Sequence, residues 1–150
     1  MKTKAEVAKE LFLEGYNCSQ SVFGAFCEDF GISKETGLVL SSGFGGGFAR
    51  RREVCGAVSG AVMVLSLIHG YSDAQQVEAK KHLYEEVRKV LADFEEETGS
   101  IICRDLLSLD EKMSVPTPEA RTQEYYKKRP CAELVYIAAQ CVENHIASLG

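Results

Sequence analysis

The sequence predicts an all-α fold, a compact single-domain bundle of about six to eight helices around a central helix over residues 52–69. Apolar residues recur at spacings of three and four along most of the chain, and no segment alternates convincingly as a strand. Capping residues and glycines divide this pattern into helix-length segments. At 150 residues the chain fits one domain, 1–150, that buries roughly two thirds of its unfolded surface.

The first two helices have clear start and stop signals. An amphipathic segment predicts a helix over 3–14, which Gly15 ends. Asn17 is a good N-cap for the second helix, because Gln20 follows at the capping-box position. Gly31 ends this second helix.

A third helix and the central helix flank a glycine-rich loop. Ser33 caps the third helix, which leads into the loop over 42–47. The central helix follows and ends at Gly70. Its apolar sequence predicts a buried position in the core.

The carboxyl-terminal half holds a long helix, a short helix and a final helix. Asp73 is expected to cap the long helix, over 74–97, which Gly99 ends. Ser100 is expected to cap the short helix, which runs to Leu107. The segment 108–129 then reads as loop with one helical turn after Pro118, and Pro130 opens the final helix at its first position.

Charge and hydropathy narrow the possible functions. The chain carries 17 Lys and Arg against 22 Asp and Glu, a net charge of −5, and no basic stripe, so nucleic acid is not an expected partner. The first residues lack the apolar core of a secretory signal, which predicts a cytoplasmic location. The longest apolar stretch, 54–68, falls short of the roughly 20 apolar residues that cross a bilayer.

Six cysteines are a high number for a cytosolic protein of this size. Stable disulfides are rare in the cytosol, and cysteine clusters there more often bind metals or take part in catalysis. No Cys-x-x-Cys, Cys-x-x-Cys-His or His-Glu-x-x-His motif occurs. The three histidines, His69, His82 and His145, are scattered and are expected to be surface or core residues.

Position on the predicted helices sorts the cysteines into two groups. Two lie deep inside apolar stripes, where free cysteine serves as a small hydrophobe: Cys27 and Cys141. Four lie within about the first turn of a helix: Cys18, Cys55, Cys103 and Cys131. A helix N-terminus offers unpaired N–H groups and about half a positive charge, which stabilise a thiolate. These four are the candidate catalytic residues and, in the alternative interpretation, the candidate metal ligands.

Cys55 has the most informative surroundings. Arg50, Arg51 and Arg52 place positive charge nearby, which is expected to lower the thiol pKa. Gly56 and Gly60 leave a bare strip of helix that another backbone can approach closely. The alternative is a tight helix crossing beside a solvated basic loop.

The loop over 43–47 could form a nest of backbone N–H groups that faces an anion or the sulfurs of a cluster. It is neither a Walker loop nor a dinucleotide fingerprint, because no Lys-Ser/Thr follows it and no strand precedes it. A plain connection between helices is the alternative. The candidate cofactor-binding residues are Gly45, Gly46, Gly47, Gly56 and Gly60.

Several stretches resemble one known family. The segments 15–22, 51–61 and 99–107, together with Cys131, resemble the C-GCAxxG-C-C family of putative redox-active proteins. The central run at 55–60 reads Cys-Gly-Ala-Val-Ser-Gly, and the four cysteines stand in matching contexts.

The resemblance implies a bacterial or archaeal protein whose redox role depends on four shared cysteines, and it implies association with transporters. Carried over residue by residue, the family cysteines fall on Cys18, Cys55, Cys103 and Cys131. This is the set that helix position selects, and Cys27 and Cys141 lie outside it.

Three functions fit these features. In the first, two of the four thiols cycle between dithiol and disulfide with a redox partner that the sequence does not identify, and Cys55 is the attacking thiol. In the second, four thiolates bind an iron–sulfur cluster or Zn for electron transfer, although the ligands lack the tight spacings of ferredoxins. In the third, the chain is a helical interaction module, with a homodimer as one form, whose cysteines only pack.

Overall fold

The protein is described over residues 1–107 and 116–150 in a computed structural model, and eight α-helices lie within those ranges. In the first half the helices are α1 (Lys4–Leu13), α2 (Cys18–Phe26), α3 (Lys34–Ser41) and α4 (Gly56–His69). In the second half they are α5 (Val77–Thr98), α6 (Cys103–Leu106), α7 (Gln123–Lys128) and α8 (Cys131–Ser148). Short 3₁₀ helices cover Cys27–Phe30 and Ser42–Phe44. The described residues contain no strand, only one isolated bridge, so the all-α prediction is confirmed.

The core lies where α2, α4 and α8 meet, with α1 packed on α2 and α8 and with α5 covering α4 and α8. Its fully buried side chains are mostly apolar and come from each of these helices: Phe12, Val22, Phe26, Val58, Val64, Leu65, Phe94, Val135 and Val142. A Cβ at Gly60 would lie 2.7 Å from the carbonyl oxygen of Ser19. Glycine at this position therefore lets α4 lie close against the backbone of α2.

The early helix boundaries follow the predicted caps. The Asn17 side chain accepts from Gln20 N, the Gln20 side chain accepts from Asn17 N, and α2 begins at the next residue after Asn17. Ser33 caps α3 through a hydrogen bond from Thr36 N. Gly31, with φ of 84°, ends the short 3₁₀ helix that continues α2.

Three predicted helix starts were wrong by a few residues. The central helix begins at Gly56, because Arg52 has a φ of 62° and cannot belong to a right-handed helix. Asp73 accepts from Gln75 N in a local turn, and α5 starts only at Val77. Ser100 likewise accepts from Ile102 N, one residue before α6. In both cases the short polar side chain forms a turn ahead of the helix and does not cap it.

The chain between α6 and α8 is described from residue 116 onward, so the predicted loop over 108–115 lies outside the described residues. A helix after Pro118 is present as α7, which Thr122 caps through a hydrogen bond from Tyr125 N. Pro130 is the N-cap of α8 and stands one residue ahead of the predicted position. No helix in the described ranges is long and apolar enough to cross a membrane.

Candidate functional site

One cavity of about 240 Å³ lies where the amino-terminal ends of α2, α4, α6 and α8 converge. All four cysteines that the sequence singled out line it: Cys18, Cys55, Cys103 and Cys131. Cys18, Cys103 and Cys131 are each the first residue of a helix, and Cys55 is the N-cap of α4. The bundle therefore gathers four thiols from four distant stretches of chain around one space.

Local hydrogen bonds hold Cys18 against the glycine-rich loop. Asn17, the cap of α2, also donates from Nδ2 to the carbonyl oxygen of Ser42 at 2.9 Å. A Cβ at Gly45 would lie 2.5 Å from the Asn17 side chain, so only glycine lets the loop come this close. The same residue that starts the helix thus fixes the loop beside the first sulfur.

Backbone pairing brings Cys55 and Cys103 side by side. Cys55 N donates to the carbonyl oxygen of Ile101 at 2.8 Å, and Cys103 N donates to that of Glu53 at 2.6 Å. Between these two bonds, Val54 and Ile102 form an antiparallel bridge. The two cysteines therefore occupy the ends of one short, paired segment ahead of α4 and α6.

The glycine-rich loop winds as a left-handed turn. Gly46, Gly47, Phe48, Ala49 and Arg50 are five successive residues with φ between 52° and 72°. For the three non-glycine residues this conformation costs roughly 1–2 kcal/mol each. Strain of this kind persists only where surrounding structure enforces it, and it clusters at functional sites.

Three of the five glycines proposed as cofactor-binding residues line the cavity: Gly45, Gly46 and Gly56. A Cβ at Gly56 would lie 2.6 Å from the sulfur of Cys18, so that glycine makes room for the thiol. Gly47 packs behind Cys103, where a Cβ would meet the cysteine Cβ at 2.8 Å. Gly60 belongs to the crossing of α2 and α4 described above.

Arginine side chains dominate the charge of the cavity wall. Four arginines line it, against one carboxylate from the described residues, that of Glu119: Arg50, Arg52, Arg121 and Arg129. Arg52 Nη1 donates to the sulfur of Cys103 at 3.7 Å, and within the described residues its buried Nε has no hydrogen-bond partner. The wall therefore suits a negatively charged occupant or thiolate ligands.

Burial raises the pKa of three of the four thiols. The pKa of Cys55 lies well above its usual range, mainly because of burial and then because of the neighbouring Cys18 charge. Burial also raises the pKa of Cys131 to about 12. For Cys103 burial outweighs the hydrogen bond from Arg52, and the pKa is raised as well. These raised pKa values favour the protonated thiols at neutral pH.

The expected low pKa of Cys55 was therefore wrong. Backbone N–H groups at the start of α4 do lower the pKa, but desolvation of the buried sulfur outweighs them. Of the nearby arginines, Arg52 makes its hydrogen bond to Cys103. The positive charge that the sequence placed near Cys55 thus acts most directly on a different sulfur.

The family model described as "Putative redox-active protein (C_GCAxxG_C_C)" matches residues 16–145. The chain belongs to this family. No curated protein and no solved structure matches the chain.

In this C_GCAxxG_C_C protein the remaining two cysteines lie away from the cavity. Cys27 is fully buried, and a Cβ at Gly37 would lie 2.5 Å from its sulfur. Cys141 lines a small apolar cleft between α4, α5 and α8, and burial raises its pKa to about 11. Both side chains are buried in the hydrophobic core, as their positions in apolar stripes predict.

The sequence did not predict that the segment 119–129, which precedes α8, contributes to the cavity. Glu119 Oε1 accepts from Arg129 at 2.8 Å and from Arg50 at 3.1 Å, which links this segment to the glycine-rich loop. Arg121 donates to the carbonyl oxygens of Phe12 and Tyr16 and so fastens the segment to the end of α1. Six charged residues within 119–129 were the available signal, but the segment has no apolar periodicity that would predict which of them face the cavity.

Proposed function

We propose that this protein transfers electrons through an iron–sulfur cluster bound by Cys18, Cys55, Cys103 and Cys131. The observation that carries the proposal is that these four thiols line one cavity. Four thiolates are the ligand set of [2Fe–2S] and [4Fe–4S] clusters, whereas dithiol chemistry needs only two. Membership of a family described as redox-active agrees with this role.

The thiol pKa values favour metal ligation over an attacking thiol. An efficient attacking thiol has a pKa near the ambient pH, but burial raises the pKa of Cys55, Cys103 and Cys131. A metal displaces thiol protons and supplies the positive charge that makes buried thiolates stable. Burial thus opposes free thiolates in this cavity and is compatible with metal-bound ones.

The cavity fits such a group in size, charge and backbone approach. Its volume of about 240 Å³ far exceeds the ~10–15 Å³ that a single water needs. A cluster with four thiolate ligands is an anion, and the orphaned Nε of Arg52 and the other arginines offer donors and positive charge. Gly45, Gly46 and Gly56 present backbone without side chains on the same wall.

When bound, the cluster supplies the redox couple, and the protein's residues set its surroundings. The four cysteines give up their protons on loading, so binding strengthens as pH rises. Arg52, held beside Cys103, donates to a ligand sulfur, and hydrogen bonds to sulfur and nearby charge are what tune a cluster's potential. The apolar core behind the thiols limits water on one side of the site.

The direct test is anaerobic purification after expression with added iron, followed by visible absorption, iron and sulfide analysis and electron paramagnetic resonance. We expect a coloured protein whose iron is lost when Cys18, Cys55, Cys103 or Cys131 is changed to Ser. The matched controls are Cys27→Ala and Cys141→Ala, which remove a thiol outside the cavity and should keep the iron. A colourless protein that also takes up no iron and sulfide on reconstitution would contradict the proposal.

Dithiol–disulfide exchange is a second candidate, and the position of Cys18 favours it. Cys18 is partly exposed at the cavity, and its sulfur lies beside Gly56, the residue that follows buried Cys55. In this function a partner disulfide is reduced to two thiols while two of the protein's thiols form one disulfide, which conserves protons and electrons. Iron-free protein treated with oxidised glutathione should then contain one disulfide that Cys18→Ser abolishes.

A further inference from the structure

A second cluster of metal-ligating side chains lies at the far end of the same helices. His69 is the last residue of α4, Glu86 lies on α5 and His145 lies in the last turn of α8. Their ligand atoms all lie within 4.8 Å of one another. His69 is 14 residues from Cys55 and His145 is 14 residues from Cys131, so at 1.5 Å per residue about 21 Å separates this cluster from the cysteine cavity.

The three side chains are close enough to share one ion. Nε2 of His69 lies 2.9 Å from Nε2 of His145, which lies 3.5 Å from Oε2 of Glu86. Tetrahedral Zn²⁺ with bonds of about 2.0–2.1 Å places neighbouring ligand atoms about 3.3 Å apart. Both distances lie within about 0.5 Å of that value.

Two of the three side chains in this cluster are almost fully buried, which is unusual for titratable groups. Glu86 is only 6% exposed and His145 only 8% exposed. Carboxylates and imidazoles are rarely buried unless they are paired or coordinate a metal. Here three of them from three helices converge on one point.

We propose that His69, Glu86 and His145 form a binding site for a divalent transition-metal ion, with Zn²⁺ as the ion that best fits two imidazoles and a carboxylate. The ligand set of nitrogen and oxygen differs from the sulfur set of the cysteine cavity, so the two sites take metals of different softness. Zn²⁺ bound here joins the carboxyl-terminal part of α4 to α5 and α8. Its role is structural, because it holds together the ends of two helices whose other ends carry the cysteines.

Neighbouring charges on α5 support the carboxylate as a ligand. Lys89 Nζ donates to Oε1 of Glu86 at 3.0 Å, which leaves Oε2 directed at His145. Hydrogen-bonded partners of this kind orient the ligands of metal sites.

His82 lies at the open side of the cluster. Its ring packs edge-on against that of His69 at 5.1 Å, its Nδ1 lies 3.9 Å from Oε1 of Glu86, and its side chain is 56% exposed. Structural zinc sites have four ligands. A rotation of the exposed His82 ring would supply the fourth ligand.

The test uses the full chain with Co²⁺ as a spectroscopic stand-in for Zn²⁺, added anaerobically to reduced protein. Co²⁺ bound by cysteine absorbs in the near ultraviolet through thiolate-to-metal charge transfer, whereas Co²⁺ bound by nitrogen and oxygen shows only its visible ligand-field bands. We expect one equivalent of Co²⁺ to bind with visible ligand-field bands and no charge-transfer absorption. His145→Ala and His69→Gln should each abolish the binding of this equivalent. The same variants should also lose the rise in Tm that one equivalent of Zn²⁺ gives to protein whose cysteines already hold metal.

The matched control is Glu85→Gln, which removes an exposed carboxylate next to Glu86 and should leave Co²⁺ binding unchanged. His69 is only half-buried, so His69→Gln is expected to fold even where His145→Ala does not. Circular dichroism of each variant checks that its helix content is unchanged. The proposal would be overturned if all bound Co²⁺ showed thiolate charge-transfer absorption. It would also be overturned if both histidine variants bound as much Co²⁺ without charge transfer as the unmodified chain does. The outcome is independent of whether the cysteines bind iron, since that site is monitored by its own absorption.

Discussion

Arg52 Nη1 lies 3.7 Å from the sulfur of Cys103, and both side chains are buried at the cavity wall. The guanidinium partly offsets the effect of burial on the Cys103 pKa, which nevertheless stays raised. A positive charge fixed at this distance stabilises a thiolate and any negative charge that arrives in the cavity. The pair therefore links the unusual conformation of Arg52 to the chemistry of the site.

Replacing this arginine should lower the reduction potential of the site. In Arg52→Gln the positive charge is lost, so adding an electron becomes less favourable. We expect the reduction potential to fall by roughly 10–50 mV, where about 59 mV is a tenfold change in the equilibrium constant of a one-electron couple. Arg52→Lys keeps the charge and should shift the potential less. A redox titration of the iron-loaded protein measures this. Arg51→Gln, which alters an exposed neighbour, serves as the control, and an equal shift there would count against the role of Arg52.

Glu119 should act in the opposite direction. Its Oε1 accepts from Arg50 and Arg129 and lies 4.0 Å from Nη2 of Arg52, so one carboxylate offsets part of the charge of three arginines. Glu119→Gln leaves that positive charge uncompensated and should raise the potential by roughly 10–50 mV. Glu124→Gln, which changes an exposed residue of α7, is the comparison variant and should leave the potential unchanged. A lowered potential in Glu119→Gln would mean that the arginines leave the cavity when their carboxylate is neutralised.

The space beside Cys18 should be closed by one methyl group. In Gly56→Ala the new Cβ would lie 2.6 Å from the Cys18 sulfur and 2.9 Å from the carbonyl oxygen of Phe44. Overpacking of this kind costs about 1–3 kcal/mol, and it displaces a ligand sulfur. We expect reduced iron content together with a lower urea midpoint.

Gly43→Ala provides the matched control for this substitution. A Cβ at Gly43, in the glycine-rich loop, meets no atom within 4 Å, so the same chemical change there should leave iron content and stability nearly unaffected. If the two alanine variants behave alike, the close contact between Gly56 and Cys18 does not govern the site.

The cysteine grouping could be predicted because it depends on local signals. Asn17 with Gln20 starts α2, and this capping chemistry acts over four residues. Pro130 likewise marked the start of the helix that carries Cys131, and Ser100, although it does not cap α6, marked the start of the short helix that carries Cys103 closely enough to place that thiol in its first turn. Periodicity likewise assigned Cys27 and Cys141 to the core, since a buried stripe is a property of one helix.

The features that the sequence did not reveal depend on non-local pairing. The bonds that join Glu53 and Cys55 to the chain near Cys103 connect residues some fifty positions apart, and two residues on each side are too few to show a strand pattern. Arg52 was predicted as the first residue of the central helix, yet that pairing and the left-handed loop determine its backbone. Burial, which reversed the expected pKa of Cys55, is a property of the packed molecule alone.

Cys141 should make stability fall at alkaline pH. Its folded pKa of about 11 exceeds the ordinary value of about 8.5, so its contribution is complete below pH ~8.5 and is lost as pH rises toward 11. The slope for one such thiol is at most ~1.4 kcal/mol per pH unit. Urea unfolding of reduced protein at pH 8 and pH 10 measures it, and Cys141→Ala should lose less stability between the two than the unmodified chain. An identical pH dependence in both would show that this thiol ionises equally in the folded and unfolded states.

The left-handed loop should give up strain when one of its residues becomes glycine. Ala49 is exposed and has a φ of 52°, a conformation that costs an alanine about 1–2 kcal/mol but suits glycine. The greater freedom of glycine in the unfolded chain offsets part of this gain, so Ala49→Gly should raise the free energy of unfolding by about 0.5–1 kcal/mol. Ala92→Gly, at an exposed position inside α5, should lower it by about 1 kcal/mol, and urea unfolding of both variants measures the contrast. The folded loop lines the cavity in either case, so iron content should stay unchanged. If Ala49→Gly lowers the free energy of unfolding as much as Ala92→Gly does, the loop is not strained at Ala49.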